Sequence, residues 1–289
     1  MEIISIITTK NRPNFLEKAL YSIKNQKRCP NIIILVTDSN EKNIEIEKNI
    51  IKNFDLIYLP NKFNKNYAGS LNTAIHYLLK CKYNKSINEK INKLYLDFEN
   101  TYIAILDDDD EWNYDYLYEL KSKMNGEDFA ITGLIYKNEE GEKELSIPNE
   151  LSIHDFLRTN PHIQGSNTFV KLKTLLIAGL FDENMNSTTD RDIFTRILML
   201  NPTYKVINKY LVNINAEMNR SRITNNEKKI DGLKKFYYKY NGFMTEEDKD
   251  FFFNEVLIFL ILKKIKLYMK KKNLMIQMKL HLTILNRLI

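Results

Sequence analysis

Short apolar runs alternate with amphipathic stretches along the first half of the chain. Residues 3–9, 31–36, 56–59 and 102–106 are rich in β-branched and aliphatic side chains, which is typical of buried parallel strands. Between these runs, apolar residues recur at a spacing of three or four, as in residues 15–23, and this spacing predicts helices. The alternation predicts an α/β fold with a Rossmann-like, mostly parallel central sheet flanked by helices.

The end of the chain follows a different pattern. We expect residues 1–215 to form the sheet-containing domain and residues 216–289 to form a C-terminal helical extension. Within the extension, residues 251–289 alternate apolar side chains with lysines, which is a basic amphipathic pattern. Such a surface suits peripheral contact with an anionic membrane, and it suits packing on the first domain or a homodimer contact as well.

Four consecutive aspartates, Asp107 to Asp110, directly follow the fourth predicted strand. Adjacent carboxylates repel one another and are costly to desolvate, so this cluster predicts a divalent cation, with an acidic turn or helix N-cap as the alternative. Asp38 follows the second predicted strand, where it could also cap a turn. Because the carboxyl ends of parallel strands open at one edge of a sheet, we expect Asp38 and the aspartate cluster to share one crevice.

A third acidic group, Asp190 with Asp192, lies at the predicted start of a helix whose apolar residues begin at Ile193. Acidic residues are common in the first turn of a helix, where they stabilise the helix terminus. A carboxylate in that position is also well placed to act as a general base. Both interpretations stay open from the sequence alone.

Composition and charge indicate where the protein is located and which partners it can bind. Lys and Arg number 43 against 37 Asp and Glu, and much of the excess lies near the C-terminus. The two cysteines have neither metal-ligand nor redox spacing, and the N-terminus lacks a signal-peptide pattern, so we expect a cytoplasmic protein. Peripheral contact with the inner face of the membrane through the C-terminal segment is compatible with this location. The longest apolar run, residues 256–262, is too short to span a bilayer. Four aspartates in the main crevice argue against a nucleic-acid partner.

Several segments, in order, resemble the family 2 glycosyltransferases, which have the GT-A fold. They are residues 4–12 (ISIITTKNR), 36–39 (VTDS), 66–74 (NYAGSLNTA), 106–110 (LDDDD) and 179–192, which contains GLFDE and DRD. Three positions depart from the common family pattern: Thr37 and Thr189, where the family often has acids, and Leu71, where it often has arginine. Since Trp112 is the only tryptophan, the Gln-x-x-Arg-Trp signature of processive synthases is absent, which favours a non-processive enzyme.

The resemblance implies roles for individual residues. It places these residues at the nucleotide or donor sugar: Thr8, Thr9, Asn11, Arg12, Asp38, Asn72, Asp107, Asp108, Gln164, Arg220 and Arg222. It implies Asp109 and Asp110 as ligands of Mn²⁺ or Mg²⁺. Asp190 would be the base that deprotonates the acceptor hydroxyl, giving inversion at the anomeric carbon, and Asp192 is its rival.

The sequence therefore predicts a metal-dependent hexosyltransferase that moves one sugar from a UDP-, GDP- or dTDP-linked donor, UDP first, to a hydroxyl acceptor in glycan or glycoconjugate biosynthesis. A sugar nucleotidyltransferase is one alternative, although residues 8–13 lack the glycines of its usual phosphate loop. A non-catalytic sugar-nucleotide-binding protein is the other. The donor sugar and the acceptor are not specified by any motif.

Overall fold

The structure is a computed structural model, and it describes residues 1–84, 87–94, 96–139, 141–185, 187–215, 227–261 and 263–264. Within these residues, nine strands form one mixed sheet in the order β3-β2-β1-β4-β8-β6-β9-β5, with β7 paired to β6. The strands are β1 Glu2–Thr9, β2 Ile32–Thr37, β3 Ile57–Pro60, β4 Thr101–Asp107, β5 Asp110–Trp112, β6 Phe129–Asn138, β7 Gly141–Leu145, β8 Thr168–Lys171 and β9 Tyr204–Asn215.

The parallel part of the sheet is the part that the sequence predicts. Strands β3, β2, β1 and β4 are mutually parallel, and β6 is parallel to β9. Strand β8 is antiparallel to both of its neighbours, and β5 is antiparallel to β9. The predicted α/β architecture is thus confirmed, with antiparallel strands in the second half of the sheet.

Helices cover both faces of the sheet. They are α1 Pro13–Lys24, α2 Glu41–Ile51, α3 Tyr67–Tyr83, α4 Glu89–Lys93, α5 Tyr116–Lys123, α6 Ile153–Arg158, α7 Leu172–Ile177, α8 Thr189–Leu198 and α9 Glu227–Tyr240, followed by a helix over residues 246–261. One apolar core lies between the sheet and α3, α7 and α8, and a second lies between the opposite face and α1 and α5. A smaller third cluster joins α6, α9 and the helix over residues 246–261.

One local alternative is excluded by the structure. The aspartate run does not cap a helix, since Asp110 begins the short strand β5 and α5 starts only at Tyr116. The acidic residues therefore lie in a tight connection between two strands.

The C-terminal helices pack on the rest of the chain through α6 and α8. Phe236 of α9 and Phe252 are fully buried in the third cluster together with Leu157 of α6. The remainder of the predicted extension, which includes residues 216–226 and 265–289, lies outside the described residues. No helix in the described segments has the length and apolar content to cross a bilayer.

Candidate functional site

The ends of three neighbouring strands bring the first polar groups together. Thr8 of β1 is paired with Asp107 of β4, so the aspartate run starts beside the end of β1. The Thr9 hydroxyl donates a 2.7 Å hydrogen bond to Asp108, and the Asp38 N–H donates one of 2.9 Å to the Thr9 carbonyl. Asp38 and the aspartate run therefore open at the same edge of the sheet, as the parallel order requires.

Three of the four aspartates form a potential metal site. Asp107, Asp109 and Asp110 each offer a carboxylate oxygen, and these oxygens all lie within 4.8 Å of one another. The Ser166 hydroxyl donates a 2.7 Å hydrogen bond to Asp110 and accepts one of 3.1 Å from the Asp107 N–H. Closely spaced carboxylates are the hard oxygen donors that Mg²⁺ and Mn²⁺ take, so this donor set fits a divalent cation.

Asp108 has a different environment from its neighbours. Its carboxylate is fully buried, accepts the Thr9 hydrogen bond and forms a 2.5 Å ion pair with Arg12. Burial raises the pKa of Asp108 to about 6, while the charge of Arg12 and the Thr9 hydrogen bond oppose that rise. Asp108 thus anchors the strand end through protein contacts, and it is not one of the three clustered carboxylates.

Arg12 bridges this anchor and the potential metal site. One guanidinium nitrogen pairs with Asp108, and the other lies 2.7 Å from Asp109. The planar guanidinium suits this arrangement because it can serve two carboxylates at once. In this arrangement a fixed positive charge of the chain itself offsets the charge of Asp109.

Metal binding and the Arg12 ion pair are expected to compete for Asp109. Substituting Arg12→Met should therefore raise the affinity for Mn²⁺ in the absence of nucleotide by about threefold to tenfold, since a partly exposed ion pair contributes roughly 1 kcal/mol. Calorimetric titration with Mn²⁺ alone would measure the change. Lys10→Met is the matched control, because Lys10 lies two residues away and pairs with Asp38 at 2.5 Å rather than with Asp109. Weaker Mn²⁺ binding by Arg12→Met would instead show that Arg12 organises the cluster.

The predicted base-binding region is also tied together by side chains. Asn11 has a left-handed backbone with φ of 56°, donates its N–H to the Ser39 hydroxyl at 2.6 Å, and accepts at its side-chain oxygen from the Asn40 N–H at 2.8 Å. These bonds hold the loop after β1 against the end of β2. Asp38 is placed at the junction of the two loops.

Asp190 lies in the first turn of α8 and faces the aspartate cluster. Thr188, just before the helix, has a left-handed backbone with φ of 63° that directs the chain into it. The Asp190 carboxylate accepts a hydrogen bond from the Gly165 N–H, which favours the charged form. Burial, with the charge of Asp107 as the second cause, outweighs this bond and raises the pKa of Asp190 to about 8. A carboxyl group with a raised pKa beside other acids has the character of a general base.

Tyr67 and Gly165 lie near both Asp107 and Asp190 in space, and the sequence prediction assigns a role to neither of them. Burial of the Tyr67 hydroxyl, followed by the charges of Asp107 and Asp190, raises the pKa of Tyr67. A Cβ atom on Gly165 would lie 2.1 Å from the Tyr67 hydroxyl, so a larger residue does not fit without a shift. Tyr67 is the first residue of α3 and lies within residues 66–74, a segment on which the family resemblance rests, so the sequence did contain a signal for it. Gln164, which is predicted at the donor, directly precedes Gly165.

The structure separates Asp192 from Asp190. Asp192 is fully buried, and one of its oxygens accepts from Lys239 and from the Tyr240 hydroxyl, each at 2.7 Å. The other oxygen pairs with Arg196 at 2.6 Å. Asp192 thus joins α8 to α9, whereas Asp190 points to the acidic cluster.

The remaining residues predicted at the donor site are Asn72, Arg220 and Arg222. The Asn72 amide donates to the Phe181 carbonyl and to Glu183, both at 2.9 Å, and its oxygen accepts from the Phe181 N–H at 3.1 Å. Asn72 therefore fastens α3 to the loop that leads into α8. Arg220 and Arg222 lie outside the described residues.

A family model described as Glycosyl transferase family 2 matches residues 5–197, a span that includes β1, the aspartate cluster and α8. The chain belongs to glycosyl transferase family 2. A search of curated protein sequences finds no match to this glycosyltransferase.

The fold is similar to that of S. aureus TarS. The crystal structure of TarS residues 1–349 in complex with UDP-GlcNAc has a TM-score of 0.61 and 15% sequence identity, and the match covers 89% of this chain and 72% of that one. The complex of the same fragment with UDP has a TM-score of 0.57 at 16% identity, covering 89% and 71%. For another TarS crystal structure, the TM-score is 0.57 at 16% identity, and this chain spans 43% of that chain's length. At these identities the likeness shows the fold alone.

Proposed function

We propose that this family 2 glycosyltransferase transfers a single hexose from a nucleotide diphosphate donor, with UDP as the first candidate, to a hydroxyl group of an acceptor with inversion. The observation that carries the proposal is the juxtaposition of two acidic features. A cluster of three carboxylates able to hold Mn²⁺ or Mg²⁺ lies at the end of β4, and Asp190 on α8 interacts with its first member, Asp107. A transferase needs both a metal site for the diphosphate and a base for the acceptor.

The donor end of the site is proposed at the ends of β1, β2 and β4. Asp38 and the loop after β1 would contact the base, and Asp107 would contact the ribose. A divalent cation held by Asp109 and Asp110 would neutralise the charge on the departing diphosphate. Arg12, which lies 2.7 Å from Asp109, would be available to donate hydrogen bonds to the same diphosphate oxygens once it leaves that carboxylate.

The acceptor end is proposed at the first turn of α8. Asp190 would accept the proton of the acceptor hydroxyl as its oxygen attacks the anomeric carbon, and the bond to the diphosphate oxygen would break on the opposite face. The raised pKa of Asp190 gives the carboxylate a strong affinity for that proton. Asp192 does not compete in this proposal, because both of its oxygens are engaged by Arg196, Lys239 and Tyr240.

The nucleotide class is tested by calorimetric titration of UDP, GDP and dTDP with and without Mn²⁺. One nucleotide should bind in a Mn²⁺-dependent manner, and Asp109→Ala should weaken that binding by roughly a hundredfold, because a metal ligand is lost. Asp55→Ala is the matched control, since Asp55 is an exposed aspartate before β3. UDP is tested first because the TarS fragment, which has the same fold, was crystallised with UDP.

Each outcome of this titration has a defined meaning. Absence of binding for all three nucleotides would overturn the transferase proposal. Binding of one nucleotide that Asp109→Ala leaves intact would move the metal site away from the cluster. When a donor sugar is known, the anomeric configuration of the product, read by NMR spectroscopy, tests inversion, and retention would remove the proposed role of Asp190.

A further inference from the structure

The helix over residues 246–261 has an apolar surface that the described chain does not cover. Its inner face packs on α9 and α6 through Phe252, which is 2% exposed. On its outer face, Leu257 and Ile258 are 55% and 58% exposed, and Leu260 and Ile261 are also exposed. Four adjoining aliphatic side chains in water form the kind of patch that marks an interaction surface.

Aromatic side chains extend this patch along the helix and onto α9. Phe251 and Phe253 are half exposed, and the Phe253 ring lies 5.1 Å from that of Tyr237. The Tyr237 ring is in turn 6.1 Å from that of Tyr238, which is 77% exposed. Aromatic residues with one apolar and one hydrated side are suited to the boundary between lipid and water.

The positive net charge of the chain comes from residues 256–289, the segment that begins within this patch. Lys and Arg number 43 in the whole chain and 8 in residues 256–289, whereas none of the 37 Asp and Glu lies in that segment. The preceding residues thus have 35 basic and 37 acidic side chains, so the positive net charge of +6 comes entirely from the last segment. Lys263 and Lys264 follow the apolar patch directly. A segment that contains only positive charges favours binding to a negatively charged partner.

The combination of these features selects one kind of partner. A nucleic acid would satisfy the lysines but would leave the aliphatic side chains in water. A second copy of the chain would bring two segments of eight positive charges together. The surface of an anionic bilayer accommodates both, because apolar side chains enter the acyl region while lysines remain among the acidic head groups.

We propose that the outer face of the helix over residues 246–261, together with Lys263 and Lys264, binds the surface of an anionic lipid bilayer. Each lysine near the surface strengthens binding of this kind by about fivefold, and the burial of the apolar patch strengthens it further. The inference rests on exposure and charge, and it is independent of the proposed sugar transfer.

The test is co-sedimentation of the full chain with vesicles of phosphatidylcholine alone or of phosphatidylcholine mixed with phosphatidylglycerol. The protein should sediment with the mixed vesicles only, and added salt should release it. The double variant Leu257→Ser/Ile261→Ser should bind about tenfold more weakly or worse, because it removes two apolar side chains from the lipid contact. Lys263→Gln/Lys264→Gln should lose a similar factor, whereas Lys42→Gln/Lys48→Gln on α2, which has the same charge change, should bind normally.

Three results would overturn the proposal. The first is the absence of binding to either vesicle, and the second is equal binding to neutral and mixed vesicles. The third is a dimer in analytical ultracentrifugation that dissociates in Leu257→Ser/Ile261→Ser, because a second copy would then cover the patch. Circular dichroism melting of each variant separates loss of binding from loss of folding, and the double-lysine variant keeps the apolar patch intact if the serine variant fails to fold.

Discussion

Asp190→Asn is expected to abolish sugar transfer and, at the same time, to stabilise the protein at neutral and alkaline pH. Removing the proposed base should lower kcat by about a thousandfold, within the usual range for general base catalysis. Burial raises the pKa of the Asp190 carboxyl group to about 8 in the folded protein, whereas an unfolded aspartate titrates near 4. The two effects have one cause, because the environment that makes the carboxylate basic also penalises its charge.

The sign of the stability effect follows from proton binding. Between pH 4 and pH 8 the folded state holds the Asp190 proton more tightly than the unfolded state, so unfolding releases a proton and stability falls as pH rises. Asparagine keeps an oxygen that can accept from the Gly165 N–H but has no charge to desolvate. Its stabilising effect should thus be absent near pH 4 and reach on the order of 5 kcal/mol above pH 8, at about 1.4 kcal/mol for each pKa unit.

Thermal melting in EDTA from pH 4 to pH 9, together with initial rates in Mn²⁺, measures both effects. Nucleotide binding should be retained by Asp190→Asn, which separates the base from the donor site. A variant that keeps more than a tenth of the wild-type rate would show that another group removes the acceptor proton. Unchanged stability at every pH would show that the Asp190 carboxylate is better solvated than its burial indicates.

Asp192→Ala is expected to have the opposite effect on stability, although the two aspartates are only two residues apart. Removing this carboxylate leaves Arg196, Lys239 and the Tyr240 hydroxyl around an empty position. The loss should cost about 2 to 3 kcal/mol, because the Tyr240 hydroxyl and Arg196 lose their buried partner while Lys239 keeps Asp182. Urea unfolding should give a lower midpoint with a similar slope.

The transfer rate distinguishes the two aspartates further. At low temperature, where Asp192→Ala remains folded, it should retain activity, because α8 still presents Asp190 to the acidic cluster. Arg196→Met is the companion variant, since it removes one partner of Asp192 and leaves Asp190 and its contacts with Gly165 in place. If Asp192→Ala were stable but inactive while Asp190→Asn remained active, the two roles would be exchanged.

The parallel half of the fold could be predicted because its signals are local. Strands β1, β2 and β4 are buried apolar runs, and the polar residues Thr9, Asp38 and Asp107 lie at their ends or directly after them. Parallel order then requires that these ends meet. Strand β8 has no comparable signal, because a strand of only four residues that begins at Thr168 is placed by its two antiparallel neighbours.

The contacts within the candidate site could not be predicted, for a similar reason. Asp190 and Asp192 both precede the apolar face of α8, and residues two apart on a helix point in different directions. Which direction faces the acidic cluster depends on where α9 packs, and this is a long-range property of the fold. The same holds for Arg12, whose partners Asp108 and Asp109 lie almost a hundred residues away.

The buried Arg191 limits how this enzyme can be recombined with its relatives. Its guanidinium donates to the carbonyls of Phe156 and Leu157, pairs with Glu255 at 2.9 Å and lies over the ring of Phe236 at 4.4 Å. A chimera that joined residues 1–215 to a foreign C-terminus would leave this buried cation without Glu255 and Phe236, one position from Asp190. Exchange of acceptor specificity between family members therefore has to transfer α9 and the helix over residues 246–261 along with α6 and α8, on which they pack.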